Sequence, residues 1–150
     1  MSLTLEFRPF RKEDFIEYKS WYAEKQLDRW LGPMDAKWLE YVMNDTDGRE
    51  FAILREDMLI AVVGIDLPQR GEEYSAITDM AVRPELRNQG LGGRVLSRLL
   101  QEVPLSKGEY WACYVEPDNA GARRFFTRQG WQAFSEEEGM VRFEYRPAIG

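Results

Sequence analysis

The chain has 150 residues, which fits one domain that is large enough to bury a core. It has 20 basic and 26 acidic side chains, a net charge of −6, no histidine and one cysteine, Cys113. The acidic balance argues against a nucleic-acid-binding protein, which needs a basic face. Without histidine, Ser-His-Asp sites, Cys-His sites and imidazole metal sites are excluded, and no metal is expected. Carboxylates, tyrosines, backbone groups or water must therefore carry any protons.

The sequence also lacks the marks of export or membrane insertion. Its first residues contain no signal-peptide hydrophobic region, and its longest apolar run, residues 58–65, is eight residues long. A bilayer span needs about 20 apolar residues. We therefore expect a cytoplasmic protein that does not bind membranes, with Cys113 as a buried structural thiol in an apolar strand.

Hydrophobic periodicity and turn residues predict eleven secondary-structure elements. In chain order they are a strand at 3–8, helices at 13–26 and 35–43, strands at 51–55, 58–67 and 73–82, a helix at 92–103, a strand at 109–115, a helix at 118–128, and strands at 131–134 and 140–146. No repeat, low-complexity tract or linker interrupts this order. The pattern predicts a single α/β domain over residues 1–150.

A glycine-rich loop separates the strand at 73–82 from the helix that follows it. The loop reads Arg-Asn-Gln-Gly-Leu-Gly-Gly over residues 87–93. Glycines let a backbone come close to a ligand, and the free N–H groups of a helix start bind anions, so the loop predicts a phosphate site. It is not a nucleotide-hydrolase loop, because the chain has no Gly-Lys pair, and it lacks the third glycine of a dinucleotide loop. Residues 83–128 are also net positive, with 8 basic and 5 acidic side chains.

A second segment, residues 114–131, has the pattern of a strand, a capped helix and a glycine stop. Asp118 or Asn119 is placed to cap the helix, and Phe125 or Phe126 to pack on its inner face. Together the segments resemble the GNAT superfamily of N-acetyltransferases, with R-x-x-G-x-G after a strand, then N-x-x-A with an aromatic residue seven positions after the asparagine. The resemblance implies a GNAT-like α/β fold, in which a mixed central sheet of about seven strands is flanked by about four helices.

The resemblance implies that acetyl-CoA is the co-substrate. The backbone N–H groups of residues 89–93 would hold its pyrophosphate, and the strand edge at 80–82 would pair with its pantetheine arm, with the Val82 N–H near the acetyl oxygen. Backbone donors of this kind can stabilise a developing oxyanion. The implied coenzyme-binding residues are Met80, Ala81, Val82, Arg87, Asn88, Gln89, Gly90, Leu91, Gly92, Gly93, Asn119 and Phe126.

Asp79 is the predicted base for the acceptor amine. Strand alternation puts it on a face with Ile77 and Ala81, where a carboxylate interrupts apolar surroundings. The resemblance implies the same role, because some family members have an acidic residue at this place that reaches the amine. Glu73 and Glu116 are alternatives.

This sequence differs from many family members at the position of the general acid. Many relatives have a tyrosine seven residues after the signature asparagine, and its hydroxyl can protonate the departing thiolate, but Phe126 occupies this position. Water or another hydroxyl must then supply the proton. Tyr114, at the end of the neighbouring strand, is the substitute candidate.

Aromatic and acidic side chains are concentrated in the first two predicted helices and the loop between them. Trp21 and Trp30, together with Asp79, are the predicted acceptor-binding residues, because aromatic rings beside carboxylates suit a cationic ligand. The run 21–32 resembles a loop region of the aminoglycoside 6′-acetyltransferase and ribosomal-protein acetyltransferase branches.

The sequence therefore predicts an enzyme that moves an acetyl group from acetyl-CoA to a primary amine of a small molecule or peptide. The resemblance implies direct transfer in a ternary complex, by a monomer or homodimer. Two alternatives stay open, a catalytically silent acyl-CoA-binding module and an unrelated α/β interaction domain. The first would bind CoA without turnover, and the second would not bind CoA.

Overall fold

The computed structural model describes residues 4–147, and for residues 135–137 it describes the backbone alone. The seven strands of this part are β1 (Glu6–Pro9), β2 (Gly48–Arg55), β3 (Met58–Asp66), β4 (Tyr74–Val82), β5 (Tyr110–Val115), β6 (Gln132–Glu137) and β7 (Met140–Tyr145). Its five α-helices are α1 (Phe15–Ser20), α2 (Lys25–Leu31), α3 (Ala36–Asn44), α4 (Leu91–Glu102) and α5 (Ala120–Arg128). None of these helices is both long and apolar enough to cross a membrane.

All seven strands lie in one sheet with the order β1-β2-β3-β4-β5-β7-β6. Every neighbouring pair is antiparallel except β4 and β5, which are parallel and are connected through α4. Parallel neighbours need such a long connection, whereas a short turn can join antiparallel strands. The predicted mixed α/β sheet of about seven strands is confirmed.

One predicted helix, residues 13–26, is broken into shorter pieces. A 3-10 turn at Lys12–Asp14 precedes α1, a second 3-10 turn at Trp21–Ala23 follows it, and α2 comes next. The break lies at Glu24, whose backbone is extended (φ −77°, ψ 124°) and whose Oε1 accepts the N–H of Leu27 at 2.8 Å. The first N–H groups of a helix have no acceptor within the helix. A side chain that accepts a hydrogen bond from one of them stabilises the helix start, so a new helix can begin at this point. The described part of the domain has five α-helices, which agrees with the predicted fold of about four helices around the sheet.

The observed strand boundaries differ from the predicted ones where a neighbouring strand supplies hydrogen-bond partners. β2 begins at Gly48 and not at residue 51, because residues 48–50 pair with the far end of β3. β6 runs over Gln132–Glu137 and not over 131–134, because it pairs along β7. β1 begins at Glu6, and residue 3 of that predicted strand lies outside the described residues. The other predicted elements agree to within two residues at each end.

The sheet has a hydrophobic core on each face. Val95 of α4 and Phe126 of α5 pack on one face, which we call the α4–α5 face. Tyr18 of α1 and Leu27 of α2 pack on the other, which we call the α1–α3 face. Cys113 is buried in the α4–α5 core, as predicted, and burial raises the pKa of its thiol to about 12. A thiol held protonated in this way is a poor nucleophile.

Candidate active site

The parallel strands β4 and β5 separate near the middle of the sheet. They pair only over Tyr74–Ile77 and Tyr110–Cys113. β4 continues to Val82, but within the described pairing its residues after Ile77 have no partner on β5. Each strand keeps its other neighbour, so the separation leaves a gap with a backbone edge on either side. We call this gap the β4–β5 opening.

A β-bulge in β4 lies where the opening starts. Between β3 and β4, Ile65 lies opposite Ile77 and Gly64 lies opposite Asp79, so Thr78 is an extra residue. A bulge inserts one unpaired residue into a strand and increases the local twist. It also shifts the alternation by one, so side chains on either side of the bulge change faces.

Because of this bulge, Asp79 lies on a different face of the sheet from Ile77. Ile77 is buried in the α4–α5 core, whereas Ala81 is buried in the α1–α3 core, so these two residues do not share a face. Asp79 lies two residues before Ala81 with no further register shift, which puts it on the α1–α3 face. The prediction that Asp79 shares a face with both residues was wrong, because simple alternation does not reveal a bulge.

The edge of β4 presents backbone groups to the opening. The N–H of Arg83 donates to the Ile60 carbonyl of β3 at 2.8 Å, and in an antiparallel ladder bonded and non-bonded pairs alternate. The N–H and C=O groups of Val82 and Met80 therefore point away from β3 and toward the opening, whereas those of Ala81 point toward β3. Two of the three predicted edge residues thus offer main-chain hydrogen bonds to a ligand.

The glycine-rich loop follows the end of β4 and leads directly into α4. Asn88 (φ 63°) and Gly90 (φ 76°) have left-handed backbone, and α4 begins at Leu91. Apart from its chain neighbours, no atom of the described residues lies within 4 Å of a Cβ added to Gly90, so its glycine follows from the left-handed backbone and not from lack of space. The N–H groups of residues 91–93 open the helix without intrahelical acceptors, and such groups form an anion site.

Gly92 and Gly93 also let two helices approach each other. A Cβ on Gly92 would lie 3.1 Å from the Phe125 ring, and one on Gly93 would lie 3.0 Å from the side-chain amide of Gln129. Phe125 belongs to α5, and Gln129 follows its last residue. These two glycines therefore have a packing role besides the ligand role that the sequence predicts.

The side chain of Arg87 is engaged within the protein. Its guanidinium donates to both carboxylate oxygens of Glu24, at 3.0 and 3.3 Å, and these hydrogen bonds hold the pKa of Glu24 below its ordinary value. Because Glu24 caps α2, the ion pair joins the glycine-rich loop to the start of that helix. The loop thus offers backbone groups to an anion while the charge of Arg87 is already paired.

Glu50 of β2 meets Asp79 above Gly64, although Glu50 is not among the site residues predicted from the sequence. Glu50 pairs with Gly64, and Gly64 pairs with Asp79, so the three residues form one row across β2, β3 and β4. A Cβ on Gly64 would lie 2.5 Å from Oε1 of Glu50 and would also collide with Oδ1 of Asp79. The one sequence signal was a glycine inside an apolar strand, which often marks a close approach of other groups.

Glu50 and Asp79 are half-buried as whole residues, but their carboxyl groups reach into the interior and are incompletely hydrogen-bonded. Oε2 of Glu50 and Oδ2 of Asp79 are buried and have no hydrogen-bond partner among the described residues, while the hydroxyl of Thr78 donates to Oδ1 of Asp79 at 3.1 Å. Burial raises the pKa of both carboxyl groups, and the charge of Asp79 raises the pKa of Glu50 further. Burial, together with these carboxyl charges, also raises the pKa of Tyr18 and Tyr22, whose hydroxyls are 2.6 Å apart.

Tyr114 stands on β5, across the opening from Asp79. Its neighbour Cys113 is buried in the α4–α5 core, so strand alternation puts Tyr114 on the opposite face, the one that carries Asp79. The guanidinium of Arg142, directly opposite on β7, donates to the Tyr114 hydroxyl and, at 3.0 Å, to that of Tyr110. The structure thus brings the predicted base and the predicted acid to one face, on either side of the opening.

Two of the residues implied for coenzyme binding lie in the scaffold. Asn119, one of the two predicted cap residues, caps α5, and its Oδ1 accepts the N–H of Ala122 at 3.2 Å. Phe126 is buried in the α4–α5 core, with its ring centroid 5.1 Å from that of Trp131 and 5.9 Å from that of Phe143. Their side chains hold α5 in place.

The two tryptophans predicted to bind the acceptor have different surroundings. Trp21 is only 4% exposed and belongs to the α1–α3 core. Trp30 of α2 is half-buried, and the guanidinium of Arg29 lies 4.4 Å from its ring centroid. Arg29 also pairs with Asp118, in the loop after β5, at 3.1 Å. Trp30 thus has solvent access beside the segment that follows β5, whereas Trp21 has little.

Comparison with known proteins identifies one family. The chain matches the profile of the Acetyltransferase (GNAT) family over residues 12–131, which include the β4–β5 opening, the glycine-rich loop and α5. No curated protein sequence matches the chain.

Solved structures of similar fold cover nearly the whole chain. An acetyltransferase from Thermus thermophilus superposes with a TM-score of 0.79 at 17% identity, over 95% of this chain and 97% of that one. The GNAT domain of S. lividans PAT gives a TM-score of 0.75 at 20% identity, over 97% and 94%. The Campylobacter jejuni N-acetyltransferase PseH, in complex with acetyl coenzyme A, gives 0.72 at 12% identity, over 97% and 100%. At these identities the likeness concerns the fold.

Proposed function

Since this chain belongs to the GNAT acetyltransferase family, we propose that it transfers an acetyl group from acetyl-CoA to the primary amine of a small molecule or peptide, directly within a ternary complex. Acetyl-CoA supplies an activated acetyl thioester. The observation that carries the proposal is the open edge of β4, which ends at the glycine-rich loop and the anion site of residues 91–93. The two features suit different chemical parts of one coenzyme.

The described residues fit the coenzyme through their backbone. The N–H groups at the start of α4, with Gln89 and Gly90 before them, suit a pyrophosphate. The outward N–H and C=O groups of Met80 and Val82 suit the amides of the pantetheine arm, which can add to a strand edge as a further strand does. The Val82 N–H would donate to the acetyl oxygen, and one preorganised donor of this kind contributes about 3 kcal/mol.

Asp79 is proposed to accept the proton of the acceptor. An alkylamine has a pKa of about 10.4, so at neutral pH it arrives as an ammonium ion that cannot attack until it loses a proton. Asp79 lies where the opening starts, and its buried Oδ2 has no hydrogen-bond partner among the described residues, so this oxygen has the capacity to accept one more hydrogen bond. A carboxylate there attracts the cation and then takes its proton.

Tyr114 is proposed to supply the proton that the departing sulfur takes up. It lies across the opening from Asp79, and the guanidinium of Arg142 fixes the position of its hydroxyl. Positioned proton transfer of this kind contributes about 10²–10⁴-fold in rate. Phe126, at the position where many relatives have a tyrosine, has no proton to give and is buried in the core.

Acetyl-CoA binding is tested by the melting temperature of a pair of Gly90 variants. A ligand that binds the folded state raises Tm by mass action. Gly90→Asp places a negative charge beside the anion site, whereas Gly90→Asn has nearly the same shape, and both side chains tolerate left-handed backbone. We expect acetyl-CoA to raise the Tm of the wild type and of Gly90→Asn but not of Gly90→Asp. Equal shifts in both variants would contradict the assigned pyrophosphate site.

Transfer itself is tested by thiol release from acetyl-CoA in the presence of different amines. The panel contains polyamines, aminoglycosides, amino acids and peptide N-termini, which present primary amines in different surroundings. We expect turnover with at least one class. A raised Tm with acetyl-CoA but no turnover with any amine of the panel would favour the catalytically silent binding module.

A further inference from the structure

The proposed function does not specify which of the two carboxyl groups, that of Glu50 or that of Asp79, carries a proton. Neighbouring strands lie about 4.8 Å apart, so β2 and β4 are separated by about 10 Å, with β3 between them. The side chains of Glu50 and Asp79 cross this distance and meet above Gly64, where an added Cβ would lie 2.5 Å from Oε1 of Glu50 and would collide with Oδ1 of Asp79. Ionised carboxylates only accept hydrogen bonds, so a bond between two of them requires that one carries a proton.

Among the described residues, no cationic side chain lies within ion-pair distance of Glu50 or Asp79. None of the described ion pairs includes either carboxylate. Two buried carboxylates without a cation cannot both stay ionised at neutral pH, and one of them takes up a proton instead. The titratable and polar groups that face the pair are Tyr18 of α1, Tyr22 of the turn after α1, Asp45 of the loop after α3, Asp66 of β3 and Thr78 of β4.

The hydrogen bonds of the pair indicate which group holds the proton. Asp79 already accepts a hydrogen bond from Thr78 at 3.1 Å, and a protonated Glu50 would give it a second donor. Both bonds favour the ionised form of Asp79 and act against the effect of burial on its pKa. Glu50 has the opposite balance, because burial and the charges of Asp79, Asp66 and Asp45 all favour its neutral form.

We infer that Glu50 is held as a neutral carboxylic acid and donates a hydrogen bond to Asp79, and that this bond keeps Asp79 ionised at neutral pH. The inference rests on the proposed function in one respect, the role of Asp79 as acceptor of the amine proton. In that step an N–H bond of the ammonium breaks and its proton binds the Asp79 carboxylate. The nitrogen lone pair is then available to attack the acetyl carbon, and Asp79 later returns the proton to water. Glu50 keeps its own proton throughout and acts as a positioning residue.

Two substitutions at Glu50 separate this role from that of a second ionised base. Glu50→Gln keeps a donor, since an amide N–H can bond to Asp79 as the acid does. Glu50→Met has similar length but no donor, which leaves Asp79 buried with one hydrogen bond fewer. We expect Glu50→Gln to keep the kcat/KM of the wild type at neutral pH. In Glu50→Met the acidic limb of the pH profile should move up by at least one pH unit, which lowers kcat/KM about tenfold or more on that limb.

Asp66→Asn is the matched control, because it removes a nearby negative charge without touching the hydrogen bonds of Asp79. Its pH profile should stay close to that of the wild type. Equal losses in Glu50→Gln and Glu50→Met would overturn the inference, because Glu50 would then act in its ionised form. The Tm of each variant shows that it is folded.

Carbon-13 NMR of the glutamate side-chain carboxyls tests the protonation state without any turnover. In the protein without acetyl-CoA, we expect one glutamate carboxyl to keep its protonated chemical shift at pH 7, and this signal should be absent in Glu50→Gln. Ordinary acidic titration of every glutamate would overturn the inference. If the protonated signal is present and no amine is acetylated, the assignment of Glu50 is supported while the proposed function fails, so the two failures can be told apart.

Discussion

At Gly64 of β3, the missing side chain lets carboxyl groups from two other strands occupy one space. An alanine there would put a methyl group 2.5 Å from Oε1 of Glu50 and against Asp79. The acid–base character of the candidate site therefore depends on three residues that are far apart in the chain and adjacent only in the sheet. Their pairing explains why burial raises the pKa of both carboxyl groups, and why the charge of Asp79 also raises the pKa of Glu50.

Asp79→Asn is expected to lower kcat/KM for an alkylamine by about 10²-fold. The amide keeps the shape of the carboxylate but neither attracts the ammonium nor accepts its proton. The loss should shrink at high pH, where free amine is abundant, and the affinity for acetyl-CoA should be unchanged. A pH–rate profile for each variant, together with titration of acetyl-CoA, measures both effects. A profile identical to that of the wild type would make Asp79 structural, with water or Glu116 as the base.

Tyr114→Phe is expected to lower kcat by about 10²-fold while acetyl-CoA binding stays intact. Tyr110→Phe is the matched control, since both hydroxyls accept from Arg142, but Tyr110 lies where β4 and β5 still pair. Tyr110→Phe should therefore leave kcat close to that of the wild type. Steady-state turnover of the two variants decides the matter. Similar values for both would assign the protonation of the thiolate to water.

At the scale of helices and strands, the sequence predicts those features that depend on residues adjacent in the chain. The cap of α5 and the start of α4 depend on residues that are adjacent in the chain. Asn119 is one of the two predicted cap residues, and α4 begins at Leu91, one residue before its predicted start. The bulge at Thr78 depends on how β4 pairs with β3, and Glu50 reaches the site only because β2 pairs with β3 and β3 pairs with β4. No local pattern carries such long-range information, so the loop was predictable while the surroundings of Asp79 were not.

Gly92→Ala is expected to gain none of the stability that Gly121→Ala gains. Alanine in a helix is favoured over glycine by about 0.5–1 kcal/mol, and a Cβ at Gly121 of α5 has only one atom as near as 4.0 Å. A Cβ at Gly92 would instead meet the Phe125 ring at 3.1 Å. Denaturant unfolding of both variants measures the difference in free energy of unfolding.

The role of Phe125 is checked by a double-mutant cycle. In a Phe125→Leu background, Gly92→Ala should recover the gain, with a coupling energy of at least about 0.5 kcal/mol. Additive effects would mean that the ring does not limit the approach of α4 to α5, and that Gly92 serves the ligand alone.

At the scale of the whole molecule, two buried acidic sites with opposite pKa shifts link stability to pH. Near the start of the chain, the hydrogen bonds from Arg8 and from the Arg11 N–H hold the pKa of Asp14 below its ordinary value despite its partial burial. At the centre of the sheet, burial raises the pKa of Glu50 and Asp79. Folding therefore favours proton release from Asp14, whereas it favours proton retention by the Glu50–Asp79 pair.

The stability of the free protein is expected to be greatest at about pH 5 and to decline in both directions. Asp14 has a lowered pKa in the folded state, so its contribution is present above the ordinary carboxyl pKa and is lost as pH falls. Glu50 and Asp79 have raised pKa values, so their contribution is full below the ordinary carboxyl pKa and is lost as pH rises through the folded-state values. Scanning calorimetry from acidic to alkaline pH without acetyl-CoA measures both limbs. Glu50→Gln should flatten the decline between about pH 5 and pH 8, and Asp14→Asn the acidic one. Above about pH 8 the raised pKa values of Cys113, Tyr18 and Tyr22 add a decline that Glu50→Gln does not remove. A slope between about pH 5 and pH 8 that survives in Glu50→Gln would mean that the carboxyl pair does not hold its proton in the folded protein.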